Sequence, residues 1–447
     1  MESIAAPPAL ARALWLCTAL WAGFTVPAHA RRFTPETAAD WAVHHSPALG
    51  AVRSRTAAVA RSVTLARAGR RPSIRLGDDY ALSNDPLQAL TQKLETRSAT
   101  AADFAPGALN DPGTTRLNTV ALTATLPLYQ GGRRRAQIRA ARASAGAAQA
   151  ELQQATQQTV ARVLTAYATI EWATSEVQIA RAALARDERH VRTTAKLRRE
   201  GQIVASDHLT AVVAAARARM TLARARAALR TARAQFRLLL NLPPHSRLDL
   251  APMPLPAVPA HTAPLIQQAL QQRPELQALD AEVRAARAHI ALAHASHRPS
   301  VALTAANDWY GNTPGLAHHS WTLMASISGA LYDGGAGAAR LARAHDEARA
   351  LQRQRRAVAA AVAEQVEEAW RDLRLAQAQR TRARAAMREA AAAARLVQIR
   401  YGQGRTPLFD VLGSEQNLTA AQSAAAQATY DWRRAGIALK RARGLQP

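Results

Sequence analysis

The chain has almost no cysteine, few lysines and few aromatic residues. Its one cysteine is Cys17, and its only lysines are Lys93, Lys196 and Lys440. Cys17 falls inside an apolar run, Ala13 to Val26, that follows Arg12 and precedes Ala28-His29-Ala30. That order of basic residue, short apolar core and small-x-small site reads as a secretory signal over residues 1–30, too short to span a bilayer as a helix. Leu16 stands where a lipoprotein needs a small residue before its cysteine, which argues against lipidation. Cleavage after Ala30 would leave a mature chain without cysteine, which excludes disulfide and thiolate chemistry. No later segment offers an uncharged apolar run of transmembrane-helix length. An exported chain without such a run is either soluble outside the cytoplasm or crosses a membrane with strands.

Acidic residues are also scarce, 32 against 58 basic ones, and nearly all of the basic ones are arginines dispersed through alanine-rich stretches. Without a cluster or basic tail, this excess reads as a solvated helical surface rather than a nucleic-acid footprint. No HExxH, cysteine-based metal motif or P-loop is present, and no cofactor is implied. The pairs His44-His45 and His318-His319 are adjacent in sequence, so on a helix or strand their side chains diverge.

What the chain does have is internal repetition. Ser46-Pro47-Ala48-Leu49 recurs as Arg273-Pro274-Glu275-Leu276, and Arg71-Pro72-Ser73-Ile74 as Arg298-Pro299-Ser300-Val301, both 227 positions on. Leu128-Tyr129-Gln130-Gly131-Gly132 recurs as Leu331-Tyr332-Asp333-Gly334-Gly335, and Gly201, Asp207 and Leu209 as Gly404, Asp410 and Leu412, now 203 positions on. The first repeat therefore carries 24 extra residues between Pro72 and Leu128, in the stretch Asn84–Thr115 rich in Pro, Gly, Asn and Asp. The repeats span 31–244 and 265–447, joined by a proline-dense connector over 245–264 that reads as extended.

Within each repeat the hydrophobic period changes from helical to two after the Arg-Pro pair. Strands are expected at 73–83 and 116–128, then at 300–310 and 320–331. Val120, Leu122, Ala124, Leu126 and Leu128 alternate with Thr119, Thr123 and Thr125. Leu323, Ala325, Ile327 and Leu331 alternate with Thr322, Ser326 and Ser328. About ten residues per strand is the length that crosses a bilayer at a tilt. Each Gly-Gly then opens a long helical hairpin, 132–240 and 337–443, with turns near Gly201 and Gly404. The first arm is on the order of 100 Å long. Two such β-hairpins leave open edges that a membrane does not tolerate, so closure requires other chains; three chains of four strands would make a twelve-stranded barrel. The fold class expected is mainly α with a membrane β-barrel.

These motifs, duplicated, in order and behind a signal segment, resemble the outer membrane efflux protein family, the TolC-like exit ducts. The most specific part is Tyr401-Gly402-Gln403-Gly404-Arg405-Thr406-Pro407-Leu408-Phe409-Asp410-Val411-Leu412. The resemblance implies a homotrimer whose twelve-stranded outer-membrane barrel continues as a periplasmic α-barrel. It implies passive exit for small molecules passed on by a periplasmic adaptor and an inner-membrane transporter, proton-driven or an ATPase. It implies no catalysis, no metal and no nucleic-acid partner. Asp410 matches an aspartate that rings the closed aperture, where a ring of carboxylates would favour cationic or neutral permeants. Asp207 matches a position that ties neighbouring helices shut, and Tyr401 a tyrosine that braces the closed state. The family's gating arginine falls on Thr406, with Arg405 one place earlier, and its second aspartate on Gly413. Gly201 and Gly404 sit at the tips that meet the adaptor, although turn chemistry alone would also place glycine there. Tyr129, Tyr332, Trp309, Tyr310 and Trp321 lie at strand ends, where aromatic girdles meet outer membrane lipid. Type I protein secretion would use the same duct. A soluble periplasmic helical adaptor is the other alternative, but it would carry one long hairpin where this chain has two.

Overall fold

The computed structural model describes residues 31–311 and 316–445; the expected signal segment lies outside them. Two compact units are present. Among the described residues, one comprises 31–46 with Arg162–Pro256 and Gln379–Arg433; the other comprises Pro47–Ala161, Ala257–Ala378 and 434–445.

The elements run in two matching series. The first is β1 (Arg31–Phe33), α1 (Pro35–His45), α2 (Pro47–Ala68), β2 (Ser73–Ser83), α3 (Pro86–Glu95), α4 (Pro106–Asn110), β3 (Thr115–Gln130), α5 (Arg133–Arg199) and α6 (Ala205–Leu239). After β4 (Leu248–Leu250), the second is α7 (Ala263–Gln272), α8 (Pro274–Ala295), β5 (Ser300–Gly311), β6 (His318–Ser328), α9 (Ala336–Gly402) and α10 (Leu408–Ala442). The repetition holds to the residue: α5 and α9 each have 67 residues, α6 and α10 each 35, α2 and α8 each 22. Even the ends match. Asn241 (φ 53°) and Gly444 (φ 77°) occupy the left-handed position that closes α6 and α10. In each, the following amide reaches back five residues, Leu242 N to Arg237 O and Leu445 N to Lys440 O, the Schellman pattern.

Local chemistry sets the starts. Thr34 caps α1, accepting from Thr37 N, while its own amide donates to Thr37 Oγ1 at 2.8 Å. Pro35, Pro47 and Pro274 each open a helix, where a missing N–H costs nothing.

In the first unit, β1 and β4 form a short parallel pair. The connector supplies one of these strands, and its Leu248 and Leu250 pack against a core of Phe33, Ala38, Ala42, Val163, Tyr167, Ile170, Phe236 and Leu240. Tyr167, fully buried, donates to the carbonyl of Phe33 at 2.9 Å and lies against that of Ala251. Burial pushes its hydroxyl pKa up, and the charge of Glu171 adds to that. Trp41 Nε1 donates to Leu240 O at 3.0 Å.

In the second unit, the four-stranded antiparallel sheet has the order β2-β3-β5-β6. Its helices pack on small residues. A Cβ on Gly146 would meet Ala281 at 3.7 Å, and Arg355 pairs with Asp280 at 2.9 Å. The stretch 84–115 connects β2 to β3 and contains α3, a 3-10 turn (Ala101–Phe104) and α4. One sequence expectation needs correction: β6 ends at Ser328, so Leu331 and Tyr332 lie beyond the strand.

Candidate functional site

Two regions carry the residues singled out from sequence: the tips of the helical hairpins and the sheet. At the tips, Gly201 and Gly404 both have φ 71°, and neither has an atom within 4 Å of where a Cβ would stand. Backbone handedness, not crowding, therefore calls for glycine. Each closes a Schellman turn: Gln202 N reaches Leu197 O and Arg405 N reaches Arg400 O, both at 2.9 Å.

Behind the tips a small core of Ala211, Ala214, Leu408 and Leu412 is flanked by Val191 and Tyr401. Burial raises the pKa of the Tyr401 hydroxyl, and the charge of Asp207 raises it further. Asp410, in the first turn of α10, is exposed, as is Arg405; neither side chain joins this core. Thr406 is half-buried at the start of the same turn.

Sequence reading missed the polar ladder between α5 and α10. Glu415, Thr419 and Ser423 recur every fourth residue on α10. Across from them His190 Nε2 lies 3.1 Å from Glu415, Arg186 donates to Thr419 Oγ1 at 2.8 Å, and Ser423 donates to Glu176 at 3.0 Å. Arg433 pairs with Glu171 at 2.6 Å further along. His190 and Glu415 are both buried. Burial, then the charge of Glu415, pushes the Asp187 carboxyl up. In a seam made mostly of alanine, such pairs can fix register where large apolar knobs are absent. The four-residue spacing was visible in the sequence; the partners, more than 200 positions away, were not.

The sheet is amphipathic across all four strands. Cross-strand partners share a face, so the register places Ile74, Leu76, Leu122, Ala124, Leu126, Leu303, Ala305, Leu323, Ala325 and Ile327 on one side. Ser73, Arg75, Thr119, Thr123, Thr125, Thr304, Asp308, Ser320, Thr322 and Ser326 stand on the other. A bulge between Pro127 and Tyr129 leaves Leu128 without a partner and sets Tyr129 opposite Val301. Tyr129 thereby joins the apolar face at the helix end. Trp309 and Trp321 stand on that face toward the loop end, opposite His319 and Asn307. Tyr310 falls on the polar face, its hydroxyl 3.3 Å from Ser320 Oγ. Tyr332 is in no strand and is 89% exposed. His318 and His319 take opposite faces, and among the described residues no group of His, Cys, Asp and Glu is arranged to hold a metal ion. No helix among them is long and apolar enough to cross a membrane.

Residues 39–242 and 265–445 match the outer membrane efflux protein family. The chain belongs to that family. The two matched segments coincide with the two repeats, and the unmatched gap with the connector. Solved channels share the fold. The outer-membrane channel OprN is 23% identical with a TM-score of 0.77, over 92% of this chain and 91% of that one. VceC from Vibrio cholerae is 19% identical with a TM-score of 0.75, over 92% and 97%. The open state of the Neisseria gonorrhoeae MtrE channel is 19% identical with a TM-score of 0.74, over 92% and 89%. No curated protein sequence matches. An outer membrane efflux protein of this fold resides in the outer membrane and extends into the periplasm, and the family is one of efflux ducts rather than of enzymes.

Proposed function

We propose that the chain is the outer membrane exit duct of a tripartite efflux system, working as a homotrimer and giving small molecules passive passage. The observation that carries this is the sheet. It has one apolar and one polar face, and its two edge strands, β2 and β6, have no outer neighbour among the described residues. An unpaired edge does not persist in lipid, and an even-stranded meander closes antiparallel on copies of itself. Three copies give twelve strands, with the polar faces inward and Trp309, Trp321 and Tyr129 at the lipid boundaries. Energy would come from an inner-membrane transporter through an adaptor seated on the tips around Gly201 and Gly404, whose Cβ positions face open space.

The aperture is assigned to the tips. Asp410, exposed and outside the local core, supplies the ring of carboxylates, while Tyr401 and Asp207 brace the closed form. Arg405 and Thr406 stand just before the first turn that carries Asp410.

The deciding experiment is the mass, by light scattering, of the mature protein extracted from outer membranes in mild detergent. Three chains per particle supports the duct. A monomer in the soluble periplasmic fraction overturns it and favours the adaptor alternative. In planar bilayers Asp410→Ala should raise conductance or weaken cation preference; unchanged currents and selectivity would remove Asp410 from the aperture. Co-purification with a dedicated ATPase would turn the reading toward protein secretion.

A further inference from the structure

The two hairpins differ by the insertion in the first, and the structure gives that insertion an ordered fold. Asp85 caps α3, accepting from Gln88 N at 2.9 Å. Lys93 Nζ pairs with Asp103 at 2.6 Å, and the same carboxylate holds Thr100 N at 2.7 Å. Ala89, Gln92 and Thr96 are buried.

Three observations locate α3 on the sheet. It packs against β3. Leu117, which the register places in line with Thr119 and Ala121 on the polar face, is buried although its β2 partner Ala81 is exposed. And the Glu95 carboxyl is pushed up first by burial, then by the charge of Asp308. Asp308 pairs with Ala121 and Ser320, so it too belongs to the polar face. The insertion therefore folds back over the face that lines the duct in the reading above. Glu95 ends the helix that packs on β3, the strand whose Ala121 pairs with Asp308.

We propose that residues 85–113 form an acidic lid over the loop end of the duct, with Glu95 and Asp308 making that mouth favour cationic over anionic permeants. This rests on the duct reading and goes beyond it, because it adds a selective constriction carried by the sheet to the one assigned to the helical tips. The second hairpin has no counterpart: only six residues separate Gly311 from His318. Each copy in a trimer would contribute one lid. Carboxylates in a confined polar mouth raise the local concentration of cations and repel anions.

The test uses a chain with Cys17→Ala and Thr123→Cys, Thr123 being on the polar face below Asp308. Intact cells are treated from outside with thiol reagents, so the state of the periplasmic tips does not affect the readout. Replacing 85–113 by two glycines should speed labelling by a long polyethylene-glycol maleimide at least ~5-fold, with a smaller gain for a small reagent. Equal rates with and without the insertion would overturn the lid. In the full-length chain, Glu95→Gln with Asp308→Asn should lower the rate ratio of a cationic to an anionic methanethiosulfonate at least ~3-fold. An unchanged ratio would remove these two residues from selectivity. If Thr123→Cys stays unreactive even without the insertion, the polar face does not line an outward-open duct, and the duct reading falls first.

Discussion

The same five-residue pattern, Leu-Tyr-x-Gly-Gly, joins strand to helix twice, and the two junctions fold differently. At the first, β3 runs through Tyr129 to Gln130, which pairs with Ser300. Gly131 there is packed so closely that a Cβ would stand 2.5 Å from Arg298 Cβ and 3.0 Å from Ala295 O. At the second, the strand stops at Ser328, Tyr332 is exposed, and Gly334 has nothing within 4 Å. Both glycines keep a left-handed backbone, φ 58° and 66°. The sequences are nearly equal; the neighbours are not. β3 lies inside the sheet, between β2 and β5, whereas β6 lies at its edge. The second junction is therefore a site that a further strand would complete, and in the proposed trimer the difference between repeats is what a neighbouring copy would supply.

The contrast can be broken with one substitution per junction. Gly131→Ala combines a steric clash with a left-handed backbone and should cost about 3 kcal/mol. Gly334→Ala meets only the backbone penalty, about 1 kcal/mol. Thermal unfolding midpoints of the detergent-extracted protein compare them. Equal losses would mean that the assembled protein closes the second junction as tightly as the first, and the contrast would belong to the single chain alone. Tyr332→Cys sharpens the same point. If a neighbouring copy covers the edge, a water-soluble maleimide should label this cysteine about tenfold more slowly in the assembled protein than in dissociated chains. Equal labelling would leave the second junction open in the assembly as well.

Much of this was legible because the chain is punctuated. Gly201, Gly404 and the Arg-Pro pairs delimit helices of known length, and the change of offset between repeats located the insertion to within the hairpin loop. The aperture residues were legible only through resemblance. Tyr401 flanks the small core behind the tips, while Asp410 and Arg405 stand exposed outside it. Three things were hidden for physical reasons. The pairing of β1 with β4 involves three residues per strand, too few for a period. The bulge at Leu128 breaks an alternation that the residues themselves continue, so that Tyr129 reaches the apolar face as well. The insertion reads as loop by composition, yet α3 needs only Asp85 as a cap, Pro86 at its first position and Ala89 to bury.

The hairpin loops give a last and smaller contrast, set by one carboxylate. Asp103 is held down to about 2, chiefly by its hydrogen bond with Lys93 and then by the backbone and hydroxyl of Thr100. A carboxyl whose pKa falls on folding stabilises the fold above its unfolded value, near 3.9, and that contribution fades only as pH drops through the folded value. The insertion should therefore keep its fold at pH 4, where an ordinary aspartate is already half protonated. Asp103→Asn removes the ion pair and one acceptor of the Thr100 amide. Limited proteolysis of the extracted protein reads this directly. Cleavage within 85–113 should be slow in the parent chain at both pH 7 and pH 4, by proteases active at each, and faster in the variant at both. Cleavage that accelerates in the parent between pH 7 and pH 4 would mean that the Lys93–Asp103 pair does not hold the insertion together.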